Sequence, residues 1–209
     1  VEKSRNILGT YYWKGEIEAR ASFVTNENVL NIIKGYDDVD LFSLDIDGND
    51  YWILEKIISS IKTKIIIAEF NAYFGSTEKI TVPYLPEFSR SNYHYSYLCW
   101  GASLPAIISL TEKYNFIFLG TNIHCNNAFF IHKDYINSLP LSFIFPSHEE
   151  LSRYVKNYTR ESRDINGELS YVREADRLSI IKDCEVIDLN VGISSIKKIK
   201  EIYNLNGRF

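Results

Sequence analysis

Two short apolar runs of this chain end in carboxylates. Leu41-Phe-Ser-Leu44 leads into Asp45-Ile46-Asp47-Gly48-Asn49-Asp50, and Ile65-Ile-Ile-Ala68 leads into Glu69, with Asn71 two residues on. Carboxylates gathered in one crevice can hold a divalent cation, accept the hydroxyls of a sugar, or take a proton as a general base. The competing reading of Asp47 and Asp50 is structural, because Asp is favoured in turns and at helix starts. His124, beside Cys125, Asn126 and Asn127, is a second candidate base near neutral pH, or an ordinary surface residue. A Cys–His nucleophilic pair at 124/125 is disfavoured, since adjacent side chains of an extended chain point in opposite directions.

Weaker candidates are scattered. His94 stands among Tyr93, Tyr95 and Tyr97, a cluster that can stack on a sugar or an adenine or simply pack. Trp52 and Trp100 read as core or lid-packing residues. Arg160, Arg163 and Arg173 can meet an anionic substrate or lie in solvated ion pairs.

The elements that must position these residues follow from periodicity. Residues 40–46 and 64–70 read as buried strands, joined by a helix with Leu54, Ile57, Ile58 and Ile61 on one face. That is a βαβ unit, with parallel strands and a right-handed crossover. Ligands of open parallel sheets bind at the carboxyl ends of strands, where Asp45, Asp47 and Glu69 fall. With neighbouring strands about 4.8 Å apart, the three carboxylates can line one crevice. Ahead of this unit, residues 19–24 read as a strand. Thr25 or Asn26 caps a helix through Val29 and Ile33, with Gly35 at its C′ position. Residues 71–100 read as a loop of the kind that forms a lid or binding loop. A helix is expected over 103–114, with Pro105 in its first turn. Residues 116–120 and 128–131 then form an antiparallel pair, because the connection is too short for a crossover.

Beyond residue 146 the pattern changes. Ser147-His-Glu-Glu150 reads as a capping box before Leu151, Tyr154 and Val155. Residues 160–168 are polar and charged. Leu178–Ile181 and Cys184–Leu189 suggest a hairpin around Lys182-Asp183, and Ser194 or Ser195 starts a last helix with Ile196, Ile199 and Ile202. The expected division is therefore 1–146, an α/β domain, and 147–209, an α+β C-terminal extension.

Composition narrows the class. The 209 residues are 45% hydrophobic and 24% charged, which excludes a largely disordered chain. A formal charge of -4 argues against nucleic acid as a partner. No apolar run approaches the roughly 20 residues of a membrane span. Cys99, Cys125 and Cys184 are too few and too widely spaced for a disulfide framework or a zinc knuckle, so a cytoplasmic location is the default. The chain opens Val1-Glu2-Lys3 and has no methionine, as expected of a trimmed chain or a fragment.

Four stretches taken in order resemble a known family: Asp40-Leu-Phe-Ser-Leu-Asp-Ile-Asp-Gly-Asn-Asp-Tyr-Trp52, Ile66-Ile-Ala-Glu-Phe-Asn71, Gly101-Ala-Ser-Leu104 and Asn127-Ala-Phe-Phe-Ile131. Together they are similar to a bacterial family of S-adenosylmethionine-dependent methyltransferase-like proteins, related to the FkbM-type O-methyltransferases. There the matching strand reads Lys-Ile-Asp-Val-Glu-Gly. The resemblance covers roughly residues 1–135. It implies a Rossmann-like, mostly parallel sheet ending in an antiparallel hairpin, with S-adenosylmethionine as cofactor. It places Glu2 where an acid commonly binds the cofactor ribose, and sets Phe23, Thr25 and Asp45 with it as cofactor-binding candidates. Asp45, Asp47, Glu69, Asn71 and His124 become the catalytic candidates, Asp47 and Glu69 positioning or deprotonating an acceptor hydroxyl. The acceptor is expected to be a small molecule or glycan precursor.

The departure from the family is at the start. None of the ten glycines forms a Gly-x-Gly loop and the family's first strand has no counterpart, so weak or absent cofactor binding is expected, with either a rearranged N-terminus or a homodimer paired across the exposed sheet edge. Two other enzyme readings draw on the same residues. An apolar strand ending in Asp-x-Asp resembles the metal motif of nucleotide-sugar glycosyltransferases. Asp-x-Asp-Gly resembles the nucleophile loop of haloacid-dehalogenase-type phosphatases, from which Asn49 departs where Thr is usual. A non-catalytic methyltransferase fragment is the remaining alternative.

Overall fold

A computed structural model describes residues 19–156, 160–173, 176–193 and 195–204. Its central element is a four-stranded sheet built from β1 (Asp38–Leu44), β2 (Lys62–Glu69), β4 (Phe116–Thr121) and β5 (Asn127–His132), in the order β1-β2-β5-β4. β1 and β2 are parallel, with Leu44 opposite Ala68. β5 is antiparallel to both β2 and β4. The fold is thus mixed α/β. One pairing of this sheet is parallel and two are antiparallel, so among the described residues the sheet is mixed rather than mostly parallel.

The sequence explains the layers. Ile66, Ala68, Phe116, Phe118, Ala128 and Phe130 face one core. Against them pack α2 (Asp50–Ile58), through Ile53, Leu54 and Ile57, and α4 (Leu104–Lys113), through Leu104, Ile107 and Ile108. Removing one of these buried aliphatic side chains costs about 2–5 kcal/mol. α4 starts where Ser103 Oγ accepts the Ala106 N–H, and Pro105 sits in its first turn. Ahead of the sheet lies α1 (Val29–Ile32), a single turn. Thr25 donates its N–H to Asn28 Oδ1, and Gly35 turns the chain at φ +94°. Residues 19–24 form no strand; they run irregularly beside α1.

The 71–100 segment departs most from expectation. It is not an open lid. It holds a 3-10 turn at Ala72–Phe74, the two-residue strand β3 (Ile80–Thr81) and α3 (Arg90–Tyr93). Tyr73, Phe74, Ile80, Val82, Leu98 and Trp100 build a second core with Val172, Ile181, Val186 and Ile199. Tyr73, Phe74 and Trp100 are buried there by apolar residues from the last third of the chain, whereas Tyr93, His94 and Tyr97 are half-buried and Tyr95 is exposed.

That last third is also arranged differently. Ser147 caps a 3-10 helix, His148–Tyr154, through the Glu149 N–H. Residues 160–168 include a strand: β6 (Arg160–Arg163) pairs with β7 (Leu169–Val172) around an Asp164–Gly167 turn. Leu178–Ile181 is helical, within α5 (Arg177–Ile181), not a hairpin strand. β8 (Glu185–Asp188) pairs with β3 on one side and β9 (Ile196–Lys198) on the other. Ile196 is therefore in a strand, and α6 (Ile199–Ile202) begins three residues later. Segments of three or four residues do not distinguish strand from helix by periodicity, which accounts for both differences.

No helix among the described residues is long and apolar enough to cross a membrane.

Candidate functional site

The parallel register decides the placement of the carboxylates. One step beyond the Leu44–Ala68 pair, Asp45 and Glu69 fall side by side at the carboxyl ends of β1 and β2. Glu69 is also opposite Asn127 on β5, and Phe70 donates its N–H to Asn126 O at 2.8 Å. The β4–β5 loop, residues 122–126, therefore rises at the same end of the sheet. His124 sits exposed on this loop, its carbonyl accepting from Arg160 Nη2.

Glu69 is only 6% exposed, and no donor among the described residues reaches its Oε2. Burial, then the charges of Asp50, Asp45 and Asp47, push its pKa up to about 9, and a hydrogen bond with Asp45 adds to the rise. Two carboxyls in contact are stable when one keeps a proton and donates it to the other. Glu69 is the protonated member, and Asp45 is exposed beside it.

The turn after Asp45 is clamped from outside. Asp50 is fully buried, and its carboxylate accepts from the Ile46 and Gly48 N–H groups. Burial raises its pKa to about 6, against the opposing pull of those two bonds. Its work is to shape the turn. Asn49 is the N-cap residue of α2, yet its side chain faces elsewhere, donating to Leu85 O at 2.7 Å. Phe88 lies on Gly48 so closely that a Cβ there would fall 2.0 Å from the ring. Asp47, at φ +57°, pairs with Arg90 at 2.9 Å, both side chains exposed. Residues 85–90 thus cover the turn. This clamp has no motif in the sequence; only the aromatic and polar character of 84–97 hints at it.

Asn71 is brought to the same region but turned inward. It is fully buried, donating to Leu98 O and Trp100 O and accepting from the Tyr73 N–H. Its polar atoms are engaged in holding the 71–100 segment.

Phe23 and Thr25 line one wall of a pocket of about 530 Å³, with Pro86, Phe88 and Ser89 opposite. A smaller cavity of about 170 Å³ joins Phe23 and Phe88 to Ile46 and Asn49, the residues flanking Asp47-Gly48. The candidate cofactor residues Phe23, Thr25 and Asp45 therefore lie around one end of β1. Glu2 falls outside the described residues.

The chain matches no family model, no curated protein and no solved structure. The site's chemistry must be read from its own geometry. Among the described residues no three His, Cys, Asp or Glu side chains are grouped to hold a metal ion. What the strand ends offer is an adjoining pair of carboxyls, one buried and one exposed, an exposed histidine on the neighbouring loop and an aromatic-walled pocket nearby.

Proposed function

We propose that this chain is a Rossmann-like domain of the S-adenosylmethionine-dependent O-methyltransferase type, acting on a hydroxyl of a small molecule or glycan precursor. The observation that carries the reading is the sheet. A parallel pair continues into an antiparallel hairpin, and Asp45 and Glu69 adjoin at the carboxyl end where the β4–β5 loop also rises. The terminal antiparallel hairpin supports the family resemblance, and the carboxyl end is the one at which α/β sheets bind ligands.

The pocket between Phe23 and Phe88 has the chemistry of an adenine site, with aromatic rings to stack on the base and Thr25 and Asn28 at its polar edge. Phe23 and Thr25 would hold the aromatic end of the cofactor, and Asp45 would face the reacting end. When bound, S-adenosylmethionine supplies an electrophilic methyl group. The rest falls to the chain. Glu69 keeps its proton, so it donates a hydrogen bond and does not act as base. The proton leaving the acceptor hydroxyl goes to Asp45. Asp47, fixed by Arg90 at the rim, orients the acceptor's other hydroxyls.

The test is a calorimetric titration of the full chain with S-adenosylmethionine, repeated with Phe23→Ala. The reading expects saturable binding, weakened at least several-fold by the substitution. Absence of binding at millimolar cofactor, or tight binding of a nucleotide-sugar with manganese instead, overturns it.

A further inference from the structure

The outward face of the β6–β7 hairpin is built unlike a solvated one. Strand register sorts its side chains. Ser162 and Val172 turn inward and are buried, and Ser162 Oγ lies 2.8 Å from Ser170 Oγ. Glu161 stands opposite Tyr171 and Arg163 opposite Leu169, and these four residues share the other face. A hairpin face left to solvent ordinarily carries polar side chains. Here Tyr171 is 60% exposed and Leu169 is 57% exposed.

Arg163 organises this face. Its Nη1 lies 2.9 Å from Glu161 Oε1 and donates to Ser162 O. Its guanidinium lies over the Tyr97 ring, 5.5 Å from the centroid, and its backbone N–H donates to Ser96 O. Tyr97 is held at φ +62°, a conformation that bulky side chains rarely adopt, in a turn closed by its N–H on His94 O. The hairpin is also fixed beside the candidate site. From its inward side Arg160 Nη2 donates to His124 O, and the Arg160 N–H donates to the Tyr73 hydroxyl. The hairpin therefore adjoins the β4–β5 loop, which rises at the strand ends that carry Asp45 and Glu69.

The ligand class follows from the groups present. The Glu161–Arg163 pair cancels its own charge, which favours a neutral ligand over an ion. The pair still sets carboxylate acceptors beside guanidinium donors, the groups that grip two neighbouring hydroxyls. Tyr171 and Leu169 offer apolar area next to it. The C–H face of a sugar ring suits that area, because its hydrogens meet the negative face of an aromatic ring. A rim of paired hydroxyls around an apolar C–H face is the chemistry of a pyranose.

We propose that the outward face of the β6–β7 hairpin is a binding platform for a neutral oligosaccharide. One sugar ring stacks on Tyr171, and Glu161 and Arg163 bind its hydroxyls. Tyr97 is a positioning residue, holding the guanidinium in place from beneath. That the same oligosaccharide is the acceptor for methyl transfer rests on the proposed function; the binding of the sugar does not.

The test uses the full chain without cofactor, so that sugar binding is read apart from methyl transfer. Saturation-transfer NMR and calorimetry with neutral hexasaccharides of glucose, mannose, galactose or N-acetylglucosamine should show saturable binding of at least one, with a Kd in the millimolar range or below. Tyr171→Ala should weaken it at least about fivefold, whereas Tyr171→Phe, which keeps the ring, should retain it. Arg163→Gln should weaken it by a similar factor. Tyr135→Ala, in the 3-10 turn that follows β5 at the other end of the sheet, should leave it unchanged. Binding of none of these sugars by the wild-type chain overturns the proposal, whatever the variants do. Binding of sulfated or sialylated oligosaccharides alone, or binding that survives both Tyr171→Ala and Arg163→Gln, also overturns it. Sugar binding with no S-adenosylmethionine binding would uphold the platform and remove the methyltransferase reading.

Discussion

Glu69 stands beside Asp45 at the ends of two parallel strands, its buried carboxyl held above its ordinary range first by that burial and then by the charges of Asp50, Asp45 and Asp47. A carboxyl with a folded pKa near 9 and an ordinary value of 4.5 binds more protons folded than unfolded over that interval. Stability contributed by this group is therefore present at low pH and is lost as pH rises from about 4.5 through about 9. Asp50, raised to about 6, adds the same sign over a narrower and lower window. Urea unfolding at pH 5, 7 and 9 should show wild-type stability falling. Glu69→Gln, which keeps the shape and the donor, should flatten that slope and stabilise the chain at pH 7 by roughly 3 kcal/mol. An identical slope in the variant would falsify the assignment.

Under the proposed methyl transfer, the two carboxyls have separable roles. Since Glu69 works in its protonated form, Glu69→Gln should retain most methyl transfer near pH 7, whereas Asp45→Asn should remove nearly all of it. The measurement is kcat with matched acceptor in both variants. Equal losses would mean that the proton does not go to Asp45.

Asp47→Asn separates activity from stability. Its ion pair with Arg90 is exposed and contributes little to folding. Asn accepts the positive φ at this position at least as well as Asp. The melting temperature should stay within a degree or two while turnover drops at least tenfold, as expected when about 1.4 kcal/mol of transition-state binding is lost. Unchanged turnover would take Asp47 out of the mechanism.

Gly48→Ala should be among the most damaging single-methyl additions. The new Cβ meets the Phe88 ring, which must move and loosen the 85–90 cover. Overpacking of this kind costs about 1–3 kcal/mol. Adding Phe88→Ala should recover much of the loss, so a double-mutant cycle should show strong coupling. Additive effects would indicate that the ring does not rest on the glycine.

Asn71→Ala should behave as a folding mutation. It strands two carbonyls and one N–H in a dry interior, a cost of several kcal/mol at about 1–3 per orphaned group. Equilibrium unfolding should report it. A fully stable but inactive variant would restore Asn71 to the candidate catalytic set.

The legible parts of the fold were those where pattern and length agree. Residues 40–46 and 64–70 are apolar runs of strand length separated by an amphipathic helix, and they pair in parallel, shifted at the boundaries to 38–44 and 62–69. The hairpin of β4 and β5 was legible from its short connection. The pairing of Asp45 with Glu69 followed from strand ends alone. The burial of Asn71 did not, because nothing local says that the 71–100 segment folds inward. Its partners, Val172, Ile181, Val186 and Ile199, lie about a hundred residues away. Leu178–Ile181 reads as strand and is helical, while Ile196 reads as helical and lies in a strand, since segments of three or four residues carry no usable period.

The two-residue strand β3 receives β8 from far along the chain. During synthesis the four-stranded sheet can close once residue 132 has emerged, but the aromatic residues around Tyr73, Phe74 and Trp100 must wait for the last quarter of the polypeptide. Until then they are uncovered, at the stage when a chain is most prone to aggregate. Such distant pairing also slows folding. Shortening the chain before β8 would therefore do more than remove an appendage. It would leave a nascent-like surface permanently exposed, to be recognised by chaperones and proteases as unfinished.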